Sequence, residues 1–429
     1  MAIANLKTPM AAGSASTSGH RVALAVVTTL FFMWGFVTVL NDVLVPHLKS
    51  IFDLNYTRVM LIQFAFFSAY FIFSIPSAKI IDWIGYKRTI VVGLVTMGLG
   101  AMLFIPAASV PSYPLFLCAL MVLAAGITAL QVAANPYVAV LGPPETASSR
   151  LNLAQAFNSL GTTIGPYLGG LFILSATPTA MDKVRQMSAG ALQAYRIHEA
   201  SSVKVPYLII GAALFLLAVV IALFKLPPIP GAERHGQPSP GASVWKHRHL
   251  VLGAVAIFVY VGAEVSIGSF LISYFSQPDI GNLTAAVAAR YVAYYWGGAM
   301  VGRFIGSAIL QKVRTGTVLG IAALMAALLV CASMLSFGSA AMWTILLVGF
   351  FNSVMFPSIF TLGIAELGPL TGDGSGMLIM AIVGGALIPV AQGALADRFG
   401  IHHAFVLPVI CYLYIVFYAF RGSKPVLAG

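Results

Sequence analysis

Along most of the chain, apolar residues come in runs of about twenty, separated by short clusters of Pro, Gly and charge. A run of that length crosses the hydrocarbon of a bilayer as an α-helix, because in lipid every backbone N–H and C=O must be paired within its own segment. The pattern predicts twelve such helices, at 22–46, 59–81, 88–106, 114–140, 150–175, 206–226, 249–275, 289–311, 316–336, 341–366, 374–396 and 402–421. The clearest break runs from Leu226 to Lys246, where Pro227, Pro228, Pro230, Pro238 and Pro240 mix with Gly231, Gly236 and Gly241. It reads as a flexible linker and divides the chain into six helices plus six. The expected organisation is a tail over 1–21, a first half over 22–226, a linker over 227–248, a second half over 249–421 and a second tail over 422–429, with both tails and the linker cytoplasmic.

Composition agrees with that reading. With 59% hydrophobic and 8% charged residues, against about 25% charged in an ordinary soluble domain, the chain cannot present a wet surface all round. It reads as an all-α integral membrane protein. Its first twenty residues are small and polar and the run that follows is too long for a signal core, so the first span is expected to be retained. If the N-terminus is cytoplasmic, 15 of the 23 Lys and Arg residues fall on that side, Arg303 counted among them, and an even number of spans returns the C-terminus there. A multi-pass protein of the plasma (inner) membrane, surrounded by lipid and acting as a monomer, is the expectation. The net charge of +11 is then a topology signal and calls for no nucleic-acid partner. One polar excursion on the other side, 176–205, reads as a short amphipathic hairpin or as unstructured. Cys118, Cys331 and Cys411 fall inside apolar runs with no pairing pattern, which argues against disulfides and a Cys-based metal site.

The two halves look like copies of one unit displaced by a little over 220 residues. Leu141-Gly142-Pro143 recurs as Leu367-Gly368-Pro369, Pro166 with Gly170 as Pro389 with Gly393, Asn135-Pro136 as Phe356-Pro357, and Lys79 and Arg88 fall near Arg303 and Lys312. Two acids stand out against this background. Asp42 sits among Phe31, Phe32, Trp34, Phe36 and Val43 to Val45, and Glu264 lies in Tyr260-Val261-Gly262-Ala263-Glu264-Val265. A carboxylate at membrane depth costs roughly 2.5–3.5 kcal/mol on insertion scales, so each is a candidate functional group. Aligning the halves at a displacement of 222 puts Asp42 opposite Glu264; aligning Trp34-Gly35 with Val261-Gly262 puts it opposite Ser269. Two buried acids in a many-span protein suggest ion-coupled transport.

Several motifs carry a family resemblance. Ser77-Ala78-Lys79-Ile80-Ile81-Asp82-Trp83-Ile84-Gly85-Tyr86-Lys87-Arg88 resembles the loop motif of the major facilitator superfamily, with Ser77 where a Gly is usual. Phe64 to Tyr70, Ala134-Asn135-Pro136-Tyr137-Val138, Arg150 to Asn158, Tyr260 to Glu264 and Phe356 to Gly363 together resemble its fucose permease branch, which includes glucose/galactose and amino-sugar transporters. The resemblance implies twelve transmembrane helices in two pseudo-symmetric halves and cation-coupled uptake of a hexose such as glucose/galactose, fucose or an amino sugar by alternating access. In that branch an acid in helix one and a Glu in helix four are implicated in proton coupling. Asp42 matches the first, whereas Gln131 stands at the second position, so the relay does not carry over whole. Either Glu264 replaces it or Asp42 works alone. The oxygens of Asn41 and Thr38 beside Asp42 leave a sodium site open as the alternative to a proton.

A sugar site needs donors and acceptors for vicinal hydroxyls and an aromatic plane for the apolar ring face. Gln155 and Asn158 share one face of helix five, and Gln131 and Asn135 share one face of helix four. Asn352 and Gln63 add amides, and Trp34, Tyr260, Trp296 and Phe356 add rings. The competing reading of such amides is helix glue, worth about 0.6 kcal/mol each. At the cytoplasmic ends, Asp82 with Arg88, Lys87 or Arg150 is a candidate latch between the halves. The runs Gly161 to Pro166 and Gly372 to Gly376 lack a phosphate-loop Lys and fit close helix crossing. The histidines lie at helix ends and in loops, so no enzyme and no cofactor is expected. A proton-coupled drug or metabolite antiporter of the same fold, and a sugar sensor that does not transport, are the alternatives.

Overall fold

The computed structural model describes residues 17–52, 56–172, 186–227 and 243–425; within these, the side chains of 17–21, 40–47, 49–50, 56–60, 166–172 and 189 are outside the description. In the first half, α1 spans Thr17–Phe52, α2 Tyr56–Ser109, α3 Tyr113–Val140, α4 Ala147–Phe172, α5 Ala189–Ser201 and α6 Lys204–Leu223. In the second half, α7 spans Arg248–Phe275, α8 Ala285–Ile309, α9 Thr315–Met334, α10 Gly338–Asn352, α11 Met355–Gly363, α12 Thr371–Met380, α13 Gly384–Phe399, α14 Ile401–Ala404 and α15 Val406–Phe417. Among the described residues nine helical stretches are long and apolar enough to cross a membrane. One of them, Leu61–Ser109, holds 49 residues, enough for two crossings.

The sequence pattern expects a loop between the second and third spans. Instead α2 carries both, and the chain turns at Gly85, whose φ of 79° and ψ of 168° lie outside helical space. Only Gly takes that conformation without a Cβ penalty, so this residue makes the loop unnecessary. Two spans read as single helices are broken. Helix ten divides at Ser353 and Val354 into α10 and α11, and helix eleven passes through a 3₁₀ turn at Ala381–Val383 between α12 and α13. Within the polar excursion the structure has α5, held to the end of α1 by the Arg196 Nε–H donating to the Ile51 carbonyl at 3.1 Å. The remainder of that excursion, 176–185, lies outside the described residues, as does linker 228–242.

The repeated Leu-Gly-Pro tripeptides occupy equivalent places. Pro143 precedes a 3₁₀ turn, Pro144–Thr146, that joins α3 to α4, and Leu367 precedes another, Gly368–Leu370, that joins α11 to α12. The halves meet where α4 packs on α8 and α2 packs on α12. The glycine runs serve helix packing within a half and between the halves. A Cβ on Gly161 would press on the Phe32 carbonyl of α1, and one on Gly376 would lie 2.8 Å from the Ala78 Cβ of α2. Small residues let helix backbones approach where lipid offers no hydrophobic gain from association.

Most hydrogen bonds between the halves lie toward the linker end of the bundle. Ser148 Oγ meets Thr361 Oγ1 at 2.6 Å and Thr315 Oγ1 at 2.9 Å, Ser149 Oγ donates to the Ser307 carbonyl at 2.7 Å, and Ser375 Oγ donates to the Val132 carbonyl at 2.7 Å. Lys79 Nζ pairs with Asp373 Oδ1 at 2.8 Å across the same end and with Asp82 Oδ2 at 3.5 Å within its own half. The expected latch through Asp82, Arg88 and Arg150 is therefore redrawn. Arg150 spends its guanidinium locally, on the carbonyls of Val138, Ala139 and Pro143 and on Thr146 Oγ1, where it caps the exposed C-terminal end of α3. Among the described residues no ion pair joins Arg88 to the other half. Lys79 with Asp373 is the pair that crosses.

Candidate functional site

Between the halves lies a cavity of about 150 Å³ lined by Trp34, Tyr70, Gln131, Gln155, Asn158, Tyr260, Val261, Glu264, Arg303, Phe356 and Ile382. Its walls come from α1, α2, α3 and α4 on one side and from α7, α8, α11 and the 3₁₀ turn before α13 on the other. Two of the wall rings are fixed by aromatic neighbours on their own helices. Trp34 packs on Phe31 with ring centroids 4.2 Å apart, and Phe356 stacks on Phe360 at 6.0 Å.

The first-half wall is made of amides. Gln131 Nε2 donates to Tyr70 Oη at 2.9 Å, and Asn158 Nδ2 donates to the Phe31 carbonyl at 3.0 Å. Gln155 Nε2 reaches Asn135 Oδ1 at only 3.5 Å, a weak contact. The Gln131 and Asn158 donors are engaged by the protein, which leaves their amide oxygens to accept from incoming hydroxyl groups. Gly35 makes the Asn158 contact possible, because a Cβ there would strike the Asn158 side chain.

The second-half wall carries charge. Tyr260 Oη donates to Glu264 Oε1 at 2.8 Å and to the Asn352 carbonyl at 3.2 Å, and Tyr295 Oη donates to the Glu264 carbonyl at 3.3 Å. Asn352 itself is fully buried behind this wall, its Nδ2 on Tyr295 Oη and its Oδ1 accepting from Tyr412 Oη, both at 2.8 Å. Arg303 enters the cavity from α8, and its Nη1 donates to Ser159 Oγ of α4.

Of the sequence candidates, the cavity gathers Trp34, Gln131, Gln155, Asn158, Tyr260, Glu264 and Phe356. Asn135 and Asn352 do not reach it. Asn135 is buried behind Gln155, and the Asn352 amide is consumed in tying α8, α10 and α15 together. Trp296 lies outside the cavity lining and packs instead toward Gly268 of α7. The side chains of Asp42 and Asn41 lie outside the described residues, so the helix-one acid and its alternative registers are named but not placed. Among the described residues no group of His, Cys, Asp and Glu forms a metal site.

Sequence reasoning missed Tyr70, Val261, Ile382 and Arg303. By sequence Arg303 falls within the 289–311 helix and is counted among the cytoplasmic-side charges, whereas the structure brings its side chain to the cavity. It follows the glycine pair Gly297-Gly298 and precedes Gly306, and Gly302 packs against the carbonyl of Phe350, so the turn bearing Arg303 is embedded in the bundle. The signal available was its place inside an apolar run, Ala299-Met300-Val301-Gly302-Arg303-Phe304-Ile305, the same criterion that singled out the two acids.

Known proteins align with this chain over nearly all of its length. The Glucose/galactose transporter of Brucella abortus biovar 1 (strain 9-941) is 52% identical over 416 residues, 97% of this chain and 98% of that protein. The L-fucose-proton symporter of Escherichia coli (strain K12) is 36% identical over 411 residues, 94% of this chain and 93% of that one. A crystal structure of a Major Facilitator Superfamily transporter in the outward conformation superposes with a TM-score of 0.88 at 36% identity, over 95% of this chain and 100% of the other. These relatives are transporters rather than enzymes, and the twelve-helix bundle of that fold is met when Leu61–Ser109 is counted as two spans and α4 and α8 are added to the nine stretches. A family model described as Major Facilitator Superfamily matches residues 23–381, and the chain belongs to that family.

Proposed function

We propose that this chain is a proton-coupled symporter that takes a neutral hexose across the plasma (inner) membrane by alternating access, as a monomer with both termini cytoplasmic. The observation that carries the reading is the cavity between the halves. Three amides, two aromatic planes and an acid beside a guanidinium face one volume of monosaccharide size. Gln155 is the principal hydroxyl partner, Gln131 and Asn158 offer oxygens, and Trp34 and Phe356 flank the ring. Such a lining is poorly matched to the apolar, promiscuous pocket of a drug antiporter.

Glu264 and Asp42 are the proposed coupling acids. Gln131 cannot take a proton at physiological pH, and its amide N–H₂ is occupied by Tyr70. Glu264, on the facing wall, supplies the titratable group that this side of the cavity lacks. The names of the relatives, a glucose/galactose transporter and an L-fucose-proton symporter, support the substrate class and favour a proton over sodium.

The test is uptake of labelled glucose, galactose, fucose and an amino sugar into proteoliposomes under separately imposed proton and sodium gradients. Accumulation of at least one of them driven by the proton gradient is expected, and Asp42→Asn should abolish accumulation while leaving sugar exchange. No counterflow of any of the four sugars would refute the reading. Accumulation driven by sodium alone would overturn the proton assignment.

A further inference from the structure

Arg303 is bonded to the opposite half at three points. Its Nη1 donates to Ser159 Oγ and, at 3.5 Å, to the Gln155 carbonyl, while its own carbonyl accepts from Asn152 Nδ2 at 2.7 Å; Ser159, Gln155 and Asn152 all belong to α4. Its Nε–H is buried with no acceptor among the described residues. Glu264 lines the same cavity from α7, close enough for the two charges to act on each other. Yet no Glu264 oxygen comes within 4.0 Å of the guanidinium, and Oε1 accepts from Tyr260 instead. One cation thus has two anchorages, a neutral one across the interface and an acidic one on its own side. Charge-assisted hydrogen bonds are roughly twice as strong as neutral ones, so the carboxylate is the stronger competitor when ionised and loses its advantage when neutral.

We propose that Arg303 is an exchangeable tether between the halves. Its guanidinium sits on Ser159 and the Gln155 carbonyl when Glu264 is neutral and swings to the Glu264 carboxylate when it is charged, so the state of that acid sets how firmly α8 is held to α4. The inference rests on Glu264 being the coupling acid of the proposed symport. It adds a residue that converts the charge of Glu264 into movement between the halves. Among the described residues, the other titratable groups around Glu264 are Tyr260 on α7, Tyr295 on α8, Tyr412 on α15 and, across the cavity, Tyr70 on α2. From α4, α11 and the turn before α13 come only the neutral groups Ser159, Gln155, Asn158, Phe356 and Ile382. Among the described residues Arg303 is the cation that lines the cavity.

The experiment uses the full chain in lipid nanodiscs, with its three cysteines replaced and nitroxide labels at Glu145 and Lys312. Both positions are exposed and lie at the linker end, on opposite halves. Pulsed electron resonance reads the distance between them in acidic and in alkaline buffer. The unsubstituted protein should shift toward longer distances in alkaline buffer. Glu264→Gln should lose the shift and stay at the short distance. Arg303→Gln should lose the shift and populate the long distance in both buffers, and the double variant should match Arg303→Gln alone, because the acid acts through the tether. Arg303→Lys keeps the charge and should restore part of the shift, which a purely space-filling role would not require. An Arg303→Gln protein with the full pH shift, or a double variant in which the two effects simply add, would overturn the proposal. If Arg303→Gln does not fold, Ser159→Ala serves in its place; it should lengthen the distance in acidic buffer, and an unchanged distance there counts against the tether. Sugar counterflow measured on the same unsubstituted protein separates the two readings, since its absence removes the symporter and leaves the distance result standing.

Discussion

Gln155 and Asn158 lie one turn apart on α4 and both line the cavity, yet the structure gives them different work. Asn158 is hydrogen-bonded at 3.0 Å to the Phe31 carbonyl of α1, whereas the contact of Gln155 with Asn135 is 3.5 Å long. Gln155→Ala therefore removes a group with little to lose inside the protein and much to lose with substrate. A hydroxyl left without its partner in a closed site costs about 1–2 kcal/mol, which is about 5- to 30-fold in dissociation constant. Thermal stability in detergent should be unchanged. Asn158→Ala should weaken sugar binding by no more than that and should also lower stability, by roughly 0.6 kcal/mol for the lost interhelical bond plus whatever the void beside Gly35 adds. Isothermal calorimetry and thermal unfolding of the two purified variants read both quantities. Unchanged affinity in Gln155→Ala together with a destabilised Asn158→Ala would refute the assignment and make both residues helix glue.

Three further outcomes follow from particular contacts. Glu264→Gln keeps the hydrogen bond from Tyr260 but removes the charge, so proton-driven accumulation should be lost while sugar exchange persists; accumulation at the unsubstituted level would leave Asp42 as the sole coupling acid. Asp373→Asn breaks the Lys79 pair across the linker end, and because Lys79 is 49% exposed the loss should be at most about 1 kcal/mol. That shifts the balance of states by no more than about fivefold, visible as a modest change in uptake rate without loss of sugar affinity, and a protein that no longer transports would mean that the pair does more. Gly384→Val drives its Cβ into the Phe258 carbonyl of α7, where backbone cannot give way, so yield of monodisperse protein should fall sharply, and normal yield would show that α13 can shift.

Twelve spans and the class of protein were legible in the sequence because they depend on local quantities. A bilayer sets a length and forbids unpaired backbone, so any apolar run of sufficient length declares itself without reference to the rest of the chain. The isolation of Glu264 in such a run was equally local, and so was the pairing of Gln155 with Asn158 on one helical face. What the pattern could not supply is which face looks inward. The membrane-crossing helices here are apolar nearly all round, so periodicity carries little direction, and amides spaced alike end differently: Gln155 in the cavity, Asn135 behind it, Asn352 knotted between Tyr295 and Tyr412. Arg303 shows the limit most clearly. Counting charges enters it only as a cytoplasmic-side topology signal, because such rules weigh each Lys and Arg by position along the chain. Only the packing of α8 through Gly302 against α10, and the approach of α4 from the other half, puts that guanidinium opposite Glu264. Long-range approach of helices decides such pairings, and a single sequence records it only as scattered small residues whose partners are hundreds of positions away.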